Sequence, residues 1–384
     1  MKFEFMTANR IIFERGGIKQ LGKLVKPMGD KVLLSSGMSE ESTETVMDLL
    51  NDEGLDVTVF YVFGEPSIEG ISEGLELARS KQCNIVVGFG GGSAMDTAKA
   101  IAAMLSNSGD VLDYLEVIGK GKALQIPSIP CVAIPTTSGT GAEVTKNAVL
   151  SSKENKVKVS LRSPYMLPQL VLLDPELTIS VPKQVTASTG LDALTQVLEP
   201  YVSNAANPIT DAFCREGLTR AARSLKKAYD EGNNVEARED MAITSLLGGL
   251  ALANAKLGAV HGFAGVIGGM FPIPHGVVCA ALLPYAIETN VKALLLRQPD
   301  SEGLKRFDEV AHILTGSTLS KAEDGVKWIQ ELCHHLQIPR LSTFGLSKED
   351  FKIIIENSMK ASSMKGNPIE LTYEELEFIL DKAL

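Results

Sequence analysis

Asp192 and Gln196, in the run Thr189-Gly-Leu-Asp-Ala-Leu-Thr-Gln196, stand four residues apart and share one face of any helix that carries them. Farther along, His261 and His275 fall inside residues 257–287, a stretch with no Asp, Glu, Lys or Arg. An acid and two imidazoles in otherwise apolar helical sequence are costly unless paired or bound to a cation. One carboxylate with two imidazoles is a recurrent divalent-metal set, and three ligands leave a position open for substrate. The same residues also suit two separately satisfied core histidines plus an Asp bonded to a neighbouring backbone or hydroxyl group. Sequence distance does not decide between the two. The remaining histidines, His312, His334 and His335, have no acidic or sulfur partner at ligand spacing and are read as surface or packing residues.

Two glycine- and hydroxyl-rich runs point to a phosphorylated ligand. The first is Gly88-Phe-Gly90-Gly91-Gly92-Ser93-Ala-Met-Asp96-Thr-Ala-Lys99, between a β-rich run and an amphipathic helix. Glycines let the backbone approach a phosphate, and a helix N-terminus offers unpaired N–H groups and a positive dipole end. Ser93 would cap that helix and donate to a phosphate oxygen, although a Gly-rich turn with a Ser cap needs no ligand. The run lacks the third glycine of the dinucleotide fingerprint, and no Gly-Lys-Ser/Thr follows it as in a P-loop. The second run, Pro135-Thr-Thr-Ser-Gly-Thr-Gly-Ala-Glu-Val-Thr145, places hydroxyls at the carboxyl end of a strand, where open α/β sheets bind ligands. It is equally well read as a polar turn.

The elements that must position these residues change character along the chain. β-rich runs at 31–35, 57–63, 84–89 and 131–135 alternate with helical stretches at 40–53, 68–81 and 93–105. That alternation implies βαβ crossovers and a parallel sheet, with strands apolar throughout because both faces are covered. Beyond Asp174-Pro175 the strand-like runs stop. Helical spacing takes over around 183–199, 208–229, 236–256, 303–315, 321–336, 348–358 and 372–383. The reading is a Rossmann-like α/β nucleotide-binding domain over 1–180 and an all-helical domain over 181–384. A chain of 384 residues exceeds what one core usually supports.

Composition narrows the function classes. With 37 Lys and Arg against 47 Asp and Glu, the net charge of −10 disfavours nucleic-acid binding. Residues 257–287 are long enough to span a membrane, but they hold six glycines and three prolines. Pro272 and Pro274 sit mid-run, so two short buried helices joined by an irregular segment fit better than a membrane span. The N-terminus has no apolar core of signal-peptide length. The five cysteines are scattered without a CxxC and are read as buried thiols in a reducing cytoplasm.

GGGSAMDTAK (90–99), PTTSGTGAEVT (135–145), LLDPELTISVP (172–182), TGLDALTQVLEPYVSNAANPITDAF (189–213) and FPIPHGV (271–277) are similar, in this order, to motifs of the iron-containing alcohol dehydrogenase family. The resemblance extends from about Asn9 to the C-terminus and includes the related glycerol dehydrogenases. It implies interconversion of an alcohol with an aldehyde or ketone, by hydride transfer with a nicotinamide cofactor and a divalent metal as Lewis acid. It implies Gly91, Gly92 and Ser93 as the pyrophosphate clamp, with Thr136, Thr137, Thr140, Thr145 and Lys158 as further cofactor contacts. Asp192, His261 and His275 match metal ligands, and a homodimer follows by analogy alone.

Three positions depart from the family pattern. Gln196 stands where iron-dependent members carry His and offers only an amide oxygen, a harder and weaker ligand; the remaining Asp-His-His set resembles the three-ligand zinc site of glycerol dehydrogenases, which implies zinc over iron. Gly265 stands where many members carry a proton-shuttling His, so the proton would leave through water or a cofactor hydroxyl. Gly37, after Ser35 and Ser36, stands where NAD-preferring members carry an Asp that bonds the ribose 2′-OH; its absence implies NADP(H), with NAD possible. Two alternatives are a metal-independent reductase of the maleylacetate reductase type and a decayed NADP-binding protein.

Overall fold

A computed structural model describes residues 2–152, 154–155 and 157–384. The chain divides into two compact units. One comprises Met6–Thr137 and Ala142–Ile179; the other comprises Ser180–Leu384, together with Ser138–Gly141 and the N-terminal residues through Phe5.

The first unit is built on a six-stranded sheet. Its strands are β1 (Arg10–Phe13), β2 (Lys31–Ser36), β3 (Asp56–Tyr61), β4 (Ile85–Gly90), β5 (Cys131–Pro135) and, later in the chain, Leu170–Leu173. Before that last strand come β6 (Asn147–Ser152) and β7 (Val157–Arg162), which form a separate antiparallel pair; Leu170–Leu173 is therefore β8. The sheet order is β1-β8-β5-β4-β2-β3 and every pairing is parallel, a Rossmann-like arrangement. Side-chain alternation explains the apolar strands. Val32 and Leu34 pack on one face with Val46 and Leu50 of the helix Glu40–Asn51, while Leu33 packs on the other with Ile71, Leu75 and Ile101.

Chain order and sheet order together locate a binding crevice. From β2 the chain moves outward to edge strand β3, then returns across β2 to β4. The connections leaving β2 and β4 therefore run to opposite faces, and a gap opens beyond their carboxyl ends. Gly37 follows β2 and Gly90 ends β4 there, with Gly37 N–H donating to Phe89 O at 2.9 Å. Gly90 adopts φ +145°, and a Cβ on it would lie 3.2 Å from Gly37 Cα. A side chain at 90 would therefore force the two strand ends apart.

Two expectations need correction. Strands β1 and β8 and the β6–β7 pair lie in stretches that periodicity left unassigned: each is four to six residues long, and β6 and β7 alternate too irregularly to signal a strand. The helix expected to stop before Pro200 instead runs Lys183–Val202 with Pro200 inside it. Tertiary packing overrides the proline here, because residues 190–202 are buried throughout.

The second unit is helical. Its core joins Lys183–Val202, Pro208–Asp230, Val235–Asn254, Ala259–Met270 and His275–Arg297 with the C-terminal helices. The charge-free stretch forms two helices, Ala259–Met270 and His275–Arg297, separated at residues 271–274 where Pro272 and Pro274 lie. The second is longer than expected, at 23 residues, and runs through Pro284. It is long and apolar enough to cross a membrane, yet 78% of its most apolar window is buried inside the protein.

Gly141 ends the hydroxyl-rich segment that packs with this unit. It adopts φ +58°, and a Cβ would lie 2.5 Å from both Gly249 Cα and Ser245 O. Gly141→Val combines left-handed strain with a backbone clash, so it should destabilise the protein by about 2 kcal/mol or more, read as a lowered melting temperature. A melting temperature equal to the parent's would show that the close approach does not constrain the fold.

Candidate active site

The helix Lys183–Val202 carries Asp192, Gln196 and Glu199 on buried positions. Asp192 is 1% exposed and its Oδ1 makes no hydrogen bond. His261, in the first turn of Ala259–Met270, places Nε2 3.4 Å from that oxygen, and His275, the first residue of the next helix, places Nε2 at 3.8 Å. These separations suit donors aimed at a common centre better than donors bonded to one another. The three residues expected to form a ligand set therefore converge, and the reading of two separately satisfied core histidines does not describe them.

Two residues that sequence spacing did not single out complete the cluster. Cys279 lies one turn after His275, and its sulfur joins Asp192, His261 and His275 with all four donor atoms within 4.8 Å of one another. The His275/Cys279 spacing of four was the available signal, hidden because all five cysteines read alike; all five are indeed free and buried. Glu199 accepts from Val260 N–H and from His261 Nδ1, both at 2.7 Å. That bond places the His261 proton on Nδ1 and leaves Nε2 as the free donor.

Gln196 lies one turn beyond Asp192. Its Nε2 donates to Gly139 O at 3.0 Å, while its Oε1 is buried and makes no hydrogen bond. An acid oxygen and an amide oxygen, both buried and both unbonded on one helix face, are what a cation would satisfy. The donor set of carboxylate, imidazoles and thiol matches a divalent transition metal rather than Mg²⁺ or Ca²⁺.

Burial opposes charge on all three groups, and their neighbours outweigh it. The two imidazoles hold the Asp192 carboxyl below its ordinary value. The sulfur of Cys279 and the Asp192 carboxylate raise both imidazoles above theirs, and Glu199 adds to the rise at His261.

Of the expected cofactor residues, Gly37, Gly91 to Ser93, Thr136 and Thr137 follow the carboxyl ends of β2, β4 and β5. The helix Gly92–Ser106 begins at the end of β4, but its cap is Gly91, which provides no side-chain cap. Ser93 is therefore not the cap; it sits inside the first turn. The glycine cap leaves the first N–H groups of the helix without a side-chain acceptor, as an anion site needs. Thr137 Oγ1 lies 3.3 Å from where a Gly91 Cβ would stand, and Thr136 N–H donates to Gly90 O at 2.8 Å. Thr140 belongs with Ser138–Gly141.

Other expected contacts have structural partners. The Thr145 hydroxyl accepts from Lys99 Nζ at 2.9 Å and donates to Ala142 O at 3.1 Å. Lys158 pairs with Glu65, and Ser36 Oγ lies 2.7 Å from Thr43 Oγ1. Gly37 is exposed, and a Cβ there would meet only Ala94 Cβ at 3.5 Å. His335 bonds Asp230 at 2.9 Å, a surface pairing as expected.

Comparison with known proteins agrees with this geometry. Residues 8–175 match the family model described as iron-containing alcohol dehydrogenase, and residues 186–384 match that of the Fe-containing alcohol dehydrogenase family, C-terminal. Alcohol dehydrogenase 4 of Saccharomyces cerevisiae (strain YJM789) is 37% identical over 340 residues, covering 88% of this chain and 86% of that protein. The 1,3-propanediol dehydrogenase of Klebsiella pneumoniae is 34% identical over 394 residues, covering 99% and 98%. A crystal structure of 1,3-propanediol oxidoreductase superimposes with a TM-score of 0.91 at 34% identity, covering both chains completely.

Glu199→Gln keeps the shape but weakens the hold on His261, so zinc affinity measured by competition with a chromophoric chelator should fall roughly 10–100-fold. An unchanged affinity would mean that Glu199 does not orient the ligand. Metal binding also requires neutral imidazoles. Because His261 and His275 hold protons to higher pH than free imidazole, zinc affinity should keep rising with pH above the ordinary imidazole range. In the metal-free protein the same raised values contribute stability that is full below the ordinary imidazole value and lost as pH rises through the folded-state values. The gap in melting temperature between loaded and metal-free protein should therefore widen as pH rises. A constant gap would refute that linkage.

Proposed function

The chain belongs to the iron-containing alcohol dehydrogenase family, and from that premise we propose that Asp192, His261 and His275 are its catalytic metal ligands. Its activity is the interconversion of an alcohol with an aldehyde or ketone, using a nicotinamide cofactor and a divalent metal. The observation that carries the ligand assignment is the buried, unbonded Asp192 Oδ1 facing two imidazole nitrogens. That convergence favours the metal-assisted reading over a metal-independent reductase and over a decayed binding protein. Gln196 offers only an amide oxygen, a weaker donor than imidazole, and the remaining Asp-His-His set resembles the three-ligand zinc site of glycerol dehydrogenases, which supports zinc over iron.

A divalent cation held there supplies Lewis acidity to a substrate oxygen, and the nicotinamide supplies the hydride acceptor or donor. This chain's residues do the rest. Glu199 keeps the His261 proton on Nδ1. Gly91, Gly92 and Ser93 present helix N–H groups to a pyrophosphate, with Thr136 and Thr137 next to Gly90 and Gly91 in space and Thr140 following in the same hydroxyl-rich run. Thr145 and Lys158 shape that region through Lys99 and Glu65 rather than with free hydroxyl or ammonium groups. No side chain stands at Gly265 to move a proton, and nothing lies within 4 Å of where its Cβ would be. Proton transfer there falls to water or a cofactor hydroxyl.

Gly37 supports NADP(H) as the preferred cofactor: the position directly after β2 carries no carboxylate to bond a ribose 2′-OH or repel a 2′-phosphate. The acidic balance supports the absence of nucleic-acid partners, and the free buried thiols support a reducing cytoplasm. The buried course of His275–Arg297 supports the absence of a membrane partner. A homodimer is proposed by family analogy.

Complete metal removal should abolish alcohol oxidation, and one equivalent of zinc should restore it; activity surviving in verifiably metal-free protein would overturn the ligand assignment. The native enzyme should show higher kcat/KM with NADP(H) than with NAD(H). Gly37→Asp, which the open space tolerates, should shift the ratio toward NAD(H) by roughly 10–100-fold, the worth of a charge-assisted hydrogen bond. A native preference for NAD(H) would refute the cofactor assignment.

A further inference from the structure

We propose that Cys279 is itself a metal ligand, joining Asp192, His261 and His275 in a four-donor set selective for zinc, to which a substrate oxygen would add as a fifth. The proposal rests on the metal-dependent reading above and adds to it a residue that the resemblance did not supply.

The distances carry the argument. Bonds of about 2.0–2.3 Å at tetrahedral angles separate the donor atoms by about 3.3–3.8 Å. Four edges of such a figure can be measured. Asp192 Oδ1 lies 3.4 Å from His261 Nε2 and 3.8 Å from His275 Nε2. Cys279 Sγ lies 3.5 Å from His275 Nε2 and 3.9 Å from His261 Nε2. The sulfur–imidazole separations of 3.5 and 3.9 Å fall close to the carboxylate–imidazole separations of 3.4 and 3.8 Å, as vertices around one centre would.

The local structure fixes this position. His275 opens the helix that runs to Arg297, and Cys279 follows four residues later on the same face. Both histidines turn the same ring nitrogen, Nε2, toward the sulfur, and Glu199 enforces that orientation at His261. Asp192, 1% exposed and without a hydrogen bond at Oδ1, brings a buried carboxylate oxygen to 3.4 and 3.8 Å from the same two imidazole nitrogens. Gln196 is the rival fourth donor. Its amide nitrogen is engaged by Gly139 O, and an amide oxygen competes poorly with a thiolate for zinc.

Binding breaks the S–H bond as the sulfur–metal bond forms. The proton leaves to solvent and no oxidation state changes. A thiolate in the set raises zinc affinity far more than that of a hard cation such as Mn²⁺, so the same four residues decide which metal the enzyme carries.

Cobalt(II) substitution reads the sulfur directly. Metal-free enzyme is titrated with Co²⁺, the bound metal is counted by elemental analysis, and the near-ultraviolet spectrum is recorded. One equivalent of cobalt with an intense sulfur-to-cobalt charge-transfer band is expected. The band should persist in Cys83→Ala, whose cysteine lies in the other unit, and vanish in Cys279→Ala. Zinc affinity should fall at least about tenfold in Cys279→Ala, with Mn²⁺ affinity changing much less. One bound cobalt without the band overturns the proposal and leaves the metal reading intact, and so does a cobalt site lost only in Gln196→Ala. A band surviving in Cys279→Ala overturns it as well, and failure to bind any cobalt overturns both. The native spectrum decides the matter even if the Cys279 variant does not fold.

Discussion

A buried carboxylate with an unbonded oxygen is the constraint around which the helical unit is arranged. Placing Asp192 at 1% exposure costs free energy that only opposite charge or a cation offsets. The surrounding sequence is organised to provide it. Two imidazoles from neighbouring helices turn the same nitrogen toward Asp192, and Glu199 locks one of them. The prolines at 272 and 274 separate two helices so that His275 begins a new one, and Cys279 then falls one turn along. Apolar packing buries Asp192, Glu199 and the His261 side chain, which raises the worth of each electrostatic contact they make.

The nucleotide unit meets a different constraint, the close approach of backbone to backbone. Gly37 and Gly90 meet at the carboxyl ends of β2 and β4, where the chain reverses its direction across the sheet. Glycine there serves two ends at once: the strands pair up to their last residues, and the helix after β4 opens with its N–H groups uncovered by a side-chain cap. Of the side chains expected to contact a cofactor, Thr145 is engaged by Lys99 and Lys158 by Glu65.

Much of this was legible before any coordinates. The long helices announce themselves through sustained 3.6-residue periodicity, and the strands β2 to β5 through continuous apolar runs. Asp192, His261 and His275 stood out because ionisable groups are rare in such sequence. The rest was hidden for identifiable reasons. Short strands such as β1 and β8 carry too few residues for a pattern, and their pairing is decided by partners more than 150 residues away in the chain. Pro200 misled because local rules cannot see a fully buried helix overriding them. Glu199 and Cys279 were silent because their roles depend on which helices lie side by side, and Ser93 was misplaced as the cap because Gly91, two residues earlier, takes that position.

The bond from Gln196 to Gly139 joins the helix that carries Asp192 to a segment continuous with Thr136 and Thr137. Whatever orders that segment also steadies the amide beside the carboxylate, and the reverse holds with equal strength, since coupling between two binding events is reciprocal. One neutral hydrogen bond contributes about 1 kcal/mol net, which limits the mutual effect carried by this route to about fivefold in affinity. Gln196 thus ties the helix of the buried acid to the hydroxyl-rich loop through a single bond.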